Sequence, residues 1–273
     1  MARPPVEWPI PVYVAELRER VVVSFRAPAR VVRGKVPLPV TPELVGGQAL
    51  VSLCLGNGRC LKPAGDARTL ESEFHVAELV TPARWQGACR PTLRGIFLLH
   101  LLTDSHGLAR LLRKALEWDS EPSRQTQGPE GDGYECRVGD RSGHGEAWLR
   151  LRRPIREESW PAASVYASQE EAEIHLLHPE WHFVPGRDGR VVHATPVHQY
   201  ARSTISVGAQ VEMASLVASA LGARPDELTL DHVLFQKRCT HTWSFPPERI
   251  LTARRAAPVL APAPAGYRLP VAA

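Results

Sequence analysis

Hydrophobic and polar positions along the chain alternate mostly with a period of two, broken in a few places by a period near 3.6. Short β-branched and apolar stretches read as strands: Arg20–Phe25, Gln48–Leu55, Ser72–Val80, Arg94–Leu102, Tyr134–Val138, Glu146–Arg152, Val197–Val207 and Leu230–Trp243. Val31-Val32 continues the first of these past Pro28. Trp181–Val184 and Arg190–Ala194 flank a Pro-Gly-Arg-Asp-Gly turn and predict a hairpin. Arg94–Leu102 is apolar on both faces, which marks a central, covered strand.

Three segments follow a helical period. After Ser105, the residues Leu108, Leu111, Leu112, Ala115 and Leu116 form one apolar stripe. A short helix over Gln169–Leu177 has Ser168 as its cap, with Glu171 completing a capping box and Pro179 just beyond its end. Met213, Leu216, Val217, Ala220 and Leu221 make a third, closed by Gly222. Ser120–Gly133, rich in Pro, Gly, Ser and Gln, reads as an exposed loop.

Many strands with about three helices predict a mainly β (α+β) chain, folded as one barrel or strongly curved sheet over residues 15–250. Residues 1–14 read as a Pro-rich extended segment, and residues 256–273 as a disordered Ala/Pro-rich tail.

Composition narrows the function classes. The chain has 273 residues, 44% of them hydrophobic, enough for a sizeable core. Its net charge is only +4. The densest basic run, Arg150, Arg152, Arg153 and Arg156, reads as a solvated face, so no nucleic-acid partner is expected. No stretch approaches the roughly 18–20 apolar residues of a membrane helix, and the N-terminus lacks a signal-peptide core. The five cysteines lack a regular spacing, and the Cys54–Cys60 pair has no second pair to complete a metal site. A cytoplasmic protein with reduced thiols and no membrane partner is expected.

The order of several motifs resembles a known family. A proline-punctuated Pro37-Leu-Pro39 turn precedes the strand around Ala49-Leu-Val-Ser-Leu. Phe74-x-x-x-Glu78-Leu79, Gly95-Ile-Phe-Leu-Leu, the Leu108-Ala109 helix, Asp188-Gly189-Arg190-Val191 and Val197-His198 follow in turn. Over roughly residues 20–210 this resembles the YqjF-like family of uncharacterised bacterial proteins, which is similar to acetoacetate decarboxylase. The resemblance implies that enzyme's β-barrel or cone. Relatives with this fold often assemble through strand edges, so a homo-oligomer is one option.

Acetoacetate decarboxylase works through a Schiff-base lysine activated by a neighbouring cation. The resemblance sets that lysine after the helix at 106–117, within a Pro-Lys element. Here the matching stretch is Trp118-Asp-Ser-Glu-Pro122-Ser-Arg124, which holds no lysine. Of the 33 basic residues, the lysines are Lys35, Lys62, Lys114 and Lys237. Lys35 and Lys62 fall in loop-like connections, and Lys114 falls opposite the leucine stripe. Lys237 alternates with Val233, Phe235, Cys239, His241 and Trp243, the more apolar face of its strand. Burial there would lower an amine pKa and make a nucleophile; the alternative is an amine that snorkels to the rim.

Glu78 alternates with Phe74, Val76 and Val80 and so points into apolar surroundings. It suits either a general acid/base or the counterion of an arginine, with Arg94 as the candidate partner. His175, His178 and His182 read as surface and turn histidines, because Pro179 separates the last from the first two and no acidic ligand stands at a metal spacing. His198 belongs to the family-like Val-His pair. No metal or cofactor site is expected, since Walker, G-x-G-x-x-G, G-x-S-x-G and paired C-x-x-C motifs are missing.

Three readings follow. The first is a barrel that binds a small, carboxylate-bearing molecule through Glu78, Arg94 and His198. The second is a decarboxylase- or aldolase-like lyase with Lys237 as a relocated amine and Glu78 as its acid/base partner. The third is a structural or protein-interaction barrel.

Overall fold

The structure, a computed structural model, describes residues 12–63, 69–86, 92–115, 120–131, 133–140, 145–152, 155–186, 191–244 and 249–252. The proposed tail at 256–273 and the first eleven residues lie outside the described residues.

Three long strands carry the middle of the fold: β1 (Val12–Ala27), β4 (Gln48–Pro63) and β13 (Thr229–Ser244). β1 pairs antiparallel with β13 on one side and β4 on the other. β5 (Glu71–Trp85) and β6 (Leu93–Thr103) extend the sheet beyond β4. β10 (Trp181–Pro185) and β11 (Val191–Ser206) form the predicted hairpin, with β11 continuing through the Val197–Val207 stretch. β7 (Glu121–Glu130), β8 (Gly133–Asp140), β9 (Glu146–Arg152) and β12 (Ala209–Ala214) add an antiparallel extension. Short β2 (Val40–Pro42), β3 (Leu44–Val45) and β14 (Arg249–Thr252) complete the fourteen strands among the described residues.

The mainly β architecture is as expected, but the sheet as a whole is not a closed barrel. Its strand path runs from β12 at one end to β2 at the other. β6 nevertheless pairs with both β5 and β10, the latter in parallel, and this curls the central strands around an interior.

Among the described residues there are four α-helices. α2 (His106–Ala115) starts where Ser105 Oγ accepts the Leu108 N–H at 3.0 Å. α3 (Gln169–Leu176) has Ser168 as its cap, accepting the Glu171 N–H, while Glu171 accepts the Ala167 N–H. α4 (Ser215–Leu221) ends at Gly222; Met213 belongs to β12 instead. The unexpected one is α1 (Ala29–Arg33), over the Val31-Val32 stretch read as strand. Pro28 at its start fits a helix boundary as well as a strand break, and Val32 is buried on the helix.

The second correction is β7, which occupies most of the expected Ser120–Gly133 loop. Its Gln125 and Gln127 side chains donate to the carbonyls of Leu102 and Leu55, anchoring a polar stretch as a strand.

Apolar side chains collect in two cores on opposite faces of the sheet. One holds Val21, Val23, Leu53, Leu79 and Phe235, and is covered by α1, α4 and the β8–β9 strands. The other holds Val22, Cys54, Phe74, Val80 and Leu234, and is covered by α2 and α3. Adjacent residues of one strand serve different cores, as the strand period requires.

Candidate functional site

The core beneath α2 contains charge. Arg20 on β1 is only 2% exposed and Glu78 on β5 only 5%. The register brings them close: Arg20 lies opposite Gly56 on β4, and Glu78 lies opposite Cys54, two residues along the same strand. Both line one small cavity with Leu17, Phe74, Leu108 and His241. Phe74 packs against Gly58, where an added Cβ would lie 2.2 Å from the ring. About 20 Å³ of open space remains, room for roughly one water molecule.

Buried charges persist only when paired. Burial works against the Arg20 charge, but the neighbouring Cys54 and Glu78 outweigh it and hold the guanidinium charged. Glu78 gives way instead: burial lifts it above the usual carboxylate range, against the opposing pull of Arg20. Burial also raises the thiols of Cys54 and Cys239. His182 on β10 and His241 on β13 are buried beside them. Burial first and Arg20 second bring His182 down to about 3, and the same causes hold His241 well below its ordinary value. The result is one cation, one carboxyl poised to hold a proton, two thiols and two neutral imidazoles inside an apolar shell.

The site residues expected from sequence fare differently. Glu78 is buried, as its alternation requires. Its neighbour is Arg20; Arg94 is 64% exposed and lies 3.9 Å from Glu43, and the register places it opposite Arg84, far along β5 from Glu78. Lys237 is exposed, with its Nζ 5.7 Å from the centre of the Phe235 ring, so the burial that a nucleophile reading requires is not there. Lys237 keeps to the Phe235 side, past the buried end of that face, and Arg238, with a φ of 54°, then interrupts the alternation. Val233 and Phe235 face one core, whereas Cys239 joins the other.

His198 sits opposite Thr242 in the β11–β13 ladder; its side chain, like that of Lys114, lies outside the described residues. Lys35 is exposed and Lys62 half-buried at the end of β4. In the stretch matching the Schiff-base lysine, Ser120 and Ser123 are buried and Arg124 is exposed.

His182 was expected among surface and turn histidines and is buried instead, within the predicted Trp181–Val184 strand, which pairs with β6. His175 is half-buried and stacked on Tyr166, and His178 is exposed. Among the described residues, no group of three His, Cys, Asp or Glu side chains is placed to hold a metal. No described helix is long and apolar enough to cross a membrane.

No family model and no curated protein matches the sequence. Solved structures do match the fold. Acetoacetate decarboxylase from Legionella pneumophila superposes with a TM-score of 0.62 at 13% identity, covering 92% of each chain. An acetoacetate decarboxylase-like enzyme from Sphingomonas wittichii RW1 gives 0.58 at 10% identity, over 89% of this chain and 93% of that one. The enduracididine biosynthesis enzyme MppR, in complex with pyruvate, gives 0.57 at 12% identity, over 90% and 92%. The chain therefore has the acetoacetate decarboxylase-like fold.

Proposed function

We propose that this chain is a YqjF-like member of the acetoacetate decarboxylase-like superfamily that binds a small carboxylate-bearing molecule inside the curved sheet. Arg20 takes the role first assigned to Arg94 and pairs with the ligand's carboxylate. Glu78, held toward its protonated form, donates a hydrogen bond to a ligand oxygen. The observation that carries this reading is the buried Arg20–Glu78 pair at the wall of a cavity. Replacing such a pair with apolar residues is often neutral or stabilising, so stability alone gives no reason to keep it. The pyruvate complex of the fold neighbour MppR supports a short keto acid as the ligand class. Such a molecule is larger than the open space, so binding displaces Leu108 and Leu112 of α2.

A lyase-like role has one specific support: Glu78, lifted by burial, is a carboxyl able to deliver a proton to a bound molecule. A Schiff-base route through Lys237 lacks its premise, because that amine is exposed.

Calorimetric titration with pyruvate and acetoacetate tests the binding reading. Saturable binding should weaken about ten- to a hundredfold in Arg20→Gln, the usual worth of a hydrogen bond to a charged group. No binding at about millimolar ligand, or equal binding by Arg20→Gln, rejects it. Carbon dioxide release from acetoacetate, lost in Glu78→Gln, tests the lyase role; borohydride in the same reaction should leave Lys237 unmodified.

A further inference from the structure

A larger open space lies on the far side of Leu17, which lines both it and the interior cavity. Its volume is about 700 Å³. β1, β4 and β13 form one wall, and Gln127 and Pro129 of β7 form another.

Three guanidiniums line this cleft: Arg18 of β1, Arg59 of β4 and Arg238 of β13. Arg18 reaches Glu73 at 2.8 Å, and Arg59 reaches Glu16 at 3.0 Å. Glu19, a third carboxylate close by, accepts the phenolic hydrogen of Tyr134. Arg238 makes no ion pair with any described carboxylate. Asn57 and Thr240 put an amide and a hydroxyl on the same walls.

The backbone supplies an independent observation. Arg238 and Cys60 both have a φ of 54°, in the left-handed region. Between them, the β1–β4 ladder shifts register twice, at Val14/Glu16 and at Leu17/Glu19. A left-handed backbone strains any residue but glycine. Such irregularities gather where a sheet re-aims side chains at a ligand.

We propose that this cleft is a second binding site, for a small singly charged carboxylate that also carries hydroxyl or amide groups. Its carboxylate pairs with the Arg238 fork, which matches a planar carboxylate in two parallel hydrogen bonds. Asn57 and Thr240 bind the neutral groups. A dianion such as phosphate is disfavoured, because Arg18 and Arg59 are already neutralised by Glu73 and Glu16, and Glu19 repels a second negative charge. The site stands whether or not Arg20 takes a ligand.

Amide-resolved NMR titration of the full chain tests the proposal, with gluconate, inorganic phosphate and uncharged sorbitol as probes. Gluconate should shift the Asn57, Arg59, Arg238 and Thr240 amides saturably, with phosphate weaker and sorbitol silent. Arg238→Gln should weaken gluconate binding at least about tenfold, and Arg238→Lys, which keeps the charge without the fork, should fall between. Melting curves and unchanged spectra away from the cleft report whether each variant is folded. The proposal is overturned by any of three results: no saturable gluconate shift, phosphate binding as tightly as gluconate, or equal gluconate affinity in either folded Arg238 variant. The Arg20→Gln protein should bind gluconate normally at these amides, which separates this site from the interior one.

Discussion

The imidazole rings of His182 and His241 meet edge to face inside the curved sheet, with centroids 5.8 Å apart and planes at 86°. β10 and β13, which carry them, are separated by β11, so the pair spans the interior rather than following one ladder. Arg20 lies close enough to disfavour a proton on either ring.

This arrangement predicts acid sensitivity. The unfolded chain takes up a proton on each histidine near pH 6.5, while folded His182 holds out to about 3 and folded His241 titrates well below its ordinary value. Between those limits the unfolded state binds more protons, so stability falls as the pH falls below 6.5. Each histidine contributes up to about 1.4 kcal/mol per pH unit in that window. Glu78, raised from 4.5, opposes the slope over its own window above that value. Urea unfolding between pH 7.5 and 5.5, about one unit either side of the imidazole value, should show the decline. His182→Phe should flatten it; an unchanged slope would show that His182 takes up protons while folded.

The ligand role of the buried Arg20 and Glu78 can be separated from a structural one. The double variant Arg20→Met/Glu78→Leu removes the guanidinium and the carboxyl and keeps the volume apolar. Its stability should equal that of the native protein or exceed it by about 1–4 kcal/mol. Arg20→Met alone leaves Glu78 without its cation, and burial then drives that carboxyl further toward its protonated form. Denaturant midpoints at pH 7 measure both. A double variant that loses several kcal/mol would assign the pair to the fold, and its keto-acid binding should be lost in either case.

Gly95 is the residue on which the parallel β6–β10 contact depends. It sits opposite Trp181, and a Cβ built there would lie 1.9 Å from the Trp181 carbonyl oxygen. Backbone cannot yield as a flexible side chain can. Gly95→Ala should therefore destabilise by at least about 3 kcal/mol, at the severe end for single substitutions, and raise hydrogen exchange of the His182 and Phe183 amides. A near-native melting temperature would show that β10 tolerates displacement from β6.

What the sequence discloses depends on whether the deciding interaction is local. The α2 stripe of Leu108, Leu111 and Leu112, the Ser168–Glu171 cap and the Gly222 stop are local signals, and each is realised. Glu78 was legible because Phe74, Val76 and Val80, at its spacing, serve one core, while Ala77 and Leu79 serve the other. Arg20 was not: at the head of an apolar strand it reads as an ordinary flank, and only pairing with β4 and β13 closes the sheet over it. β7 stayed hidden because its strand is held by a backbone ladder with β8 and by glutamine side chains on distant carbonyls, not by apolar periodicity. Lys237 was misassigned because it lies past the buried end of the Phe235 face, and the alternation fails one residue later, at Arg238.

That failure point gives the last prediction. A left-handed arginine carries a steric cost that glycine avoids and alanine retains. Arg238→Ala and Arg238→Gly both remove the guanidinium, so their difference isolates the backbone. The glycine variant should be the more stable by about 1 kcal/mol, since its strain relief exceeds the extra freedom glycine gains when unfolded. Both should lose gluconate binding at the cleft. Chemical denaturation of the pair reads the difference directly. An alanine variant as stable as the glycine variant would mean that the chain relaxes at this position, and Cys239 would then be expected to turn from the α2-side core toward the Phe235 face.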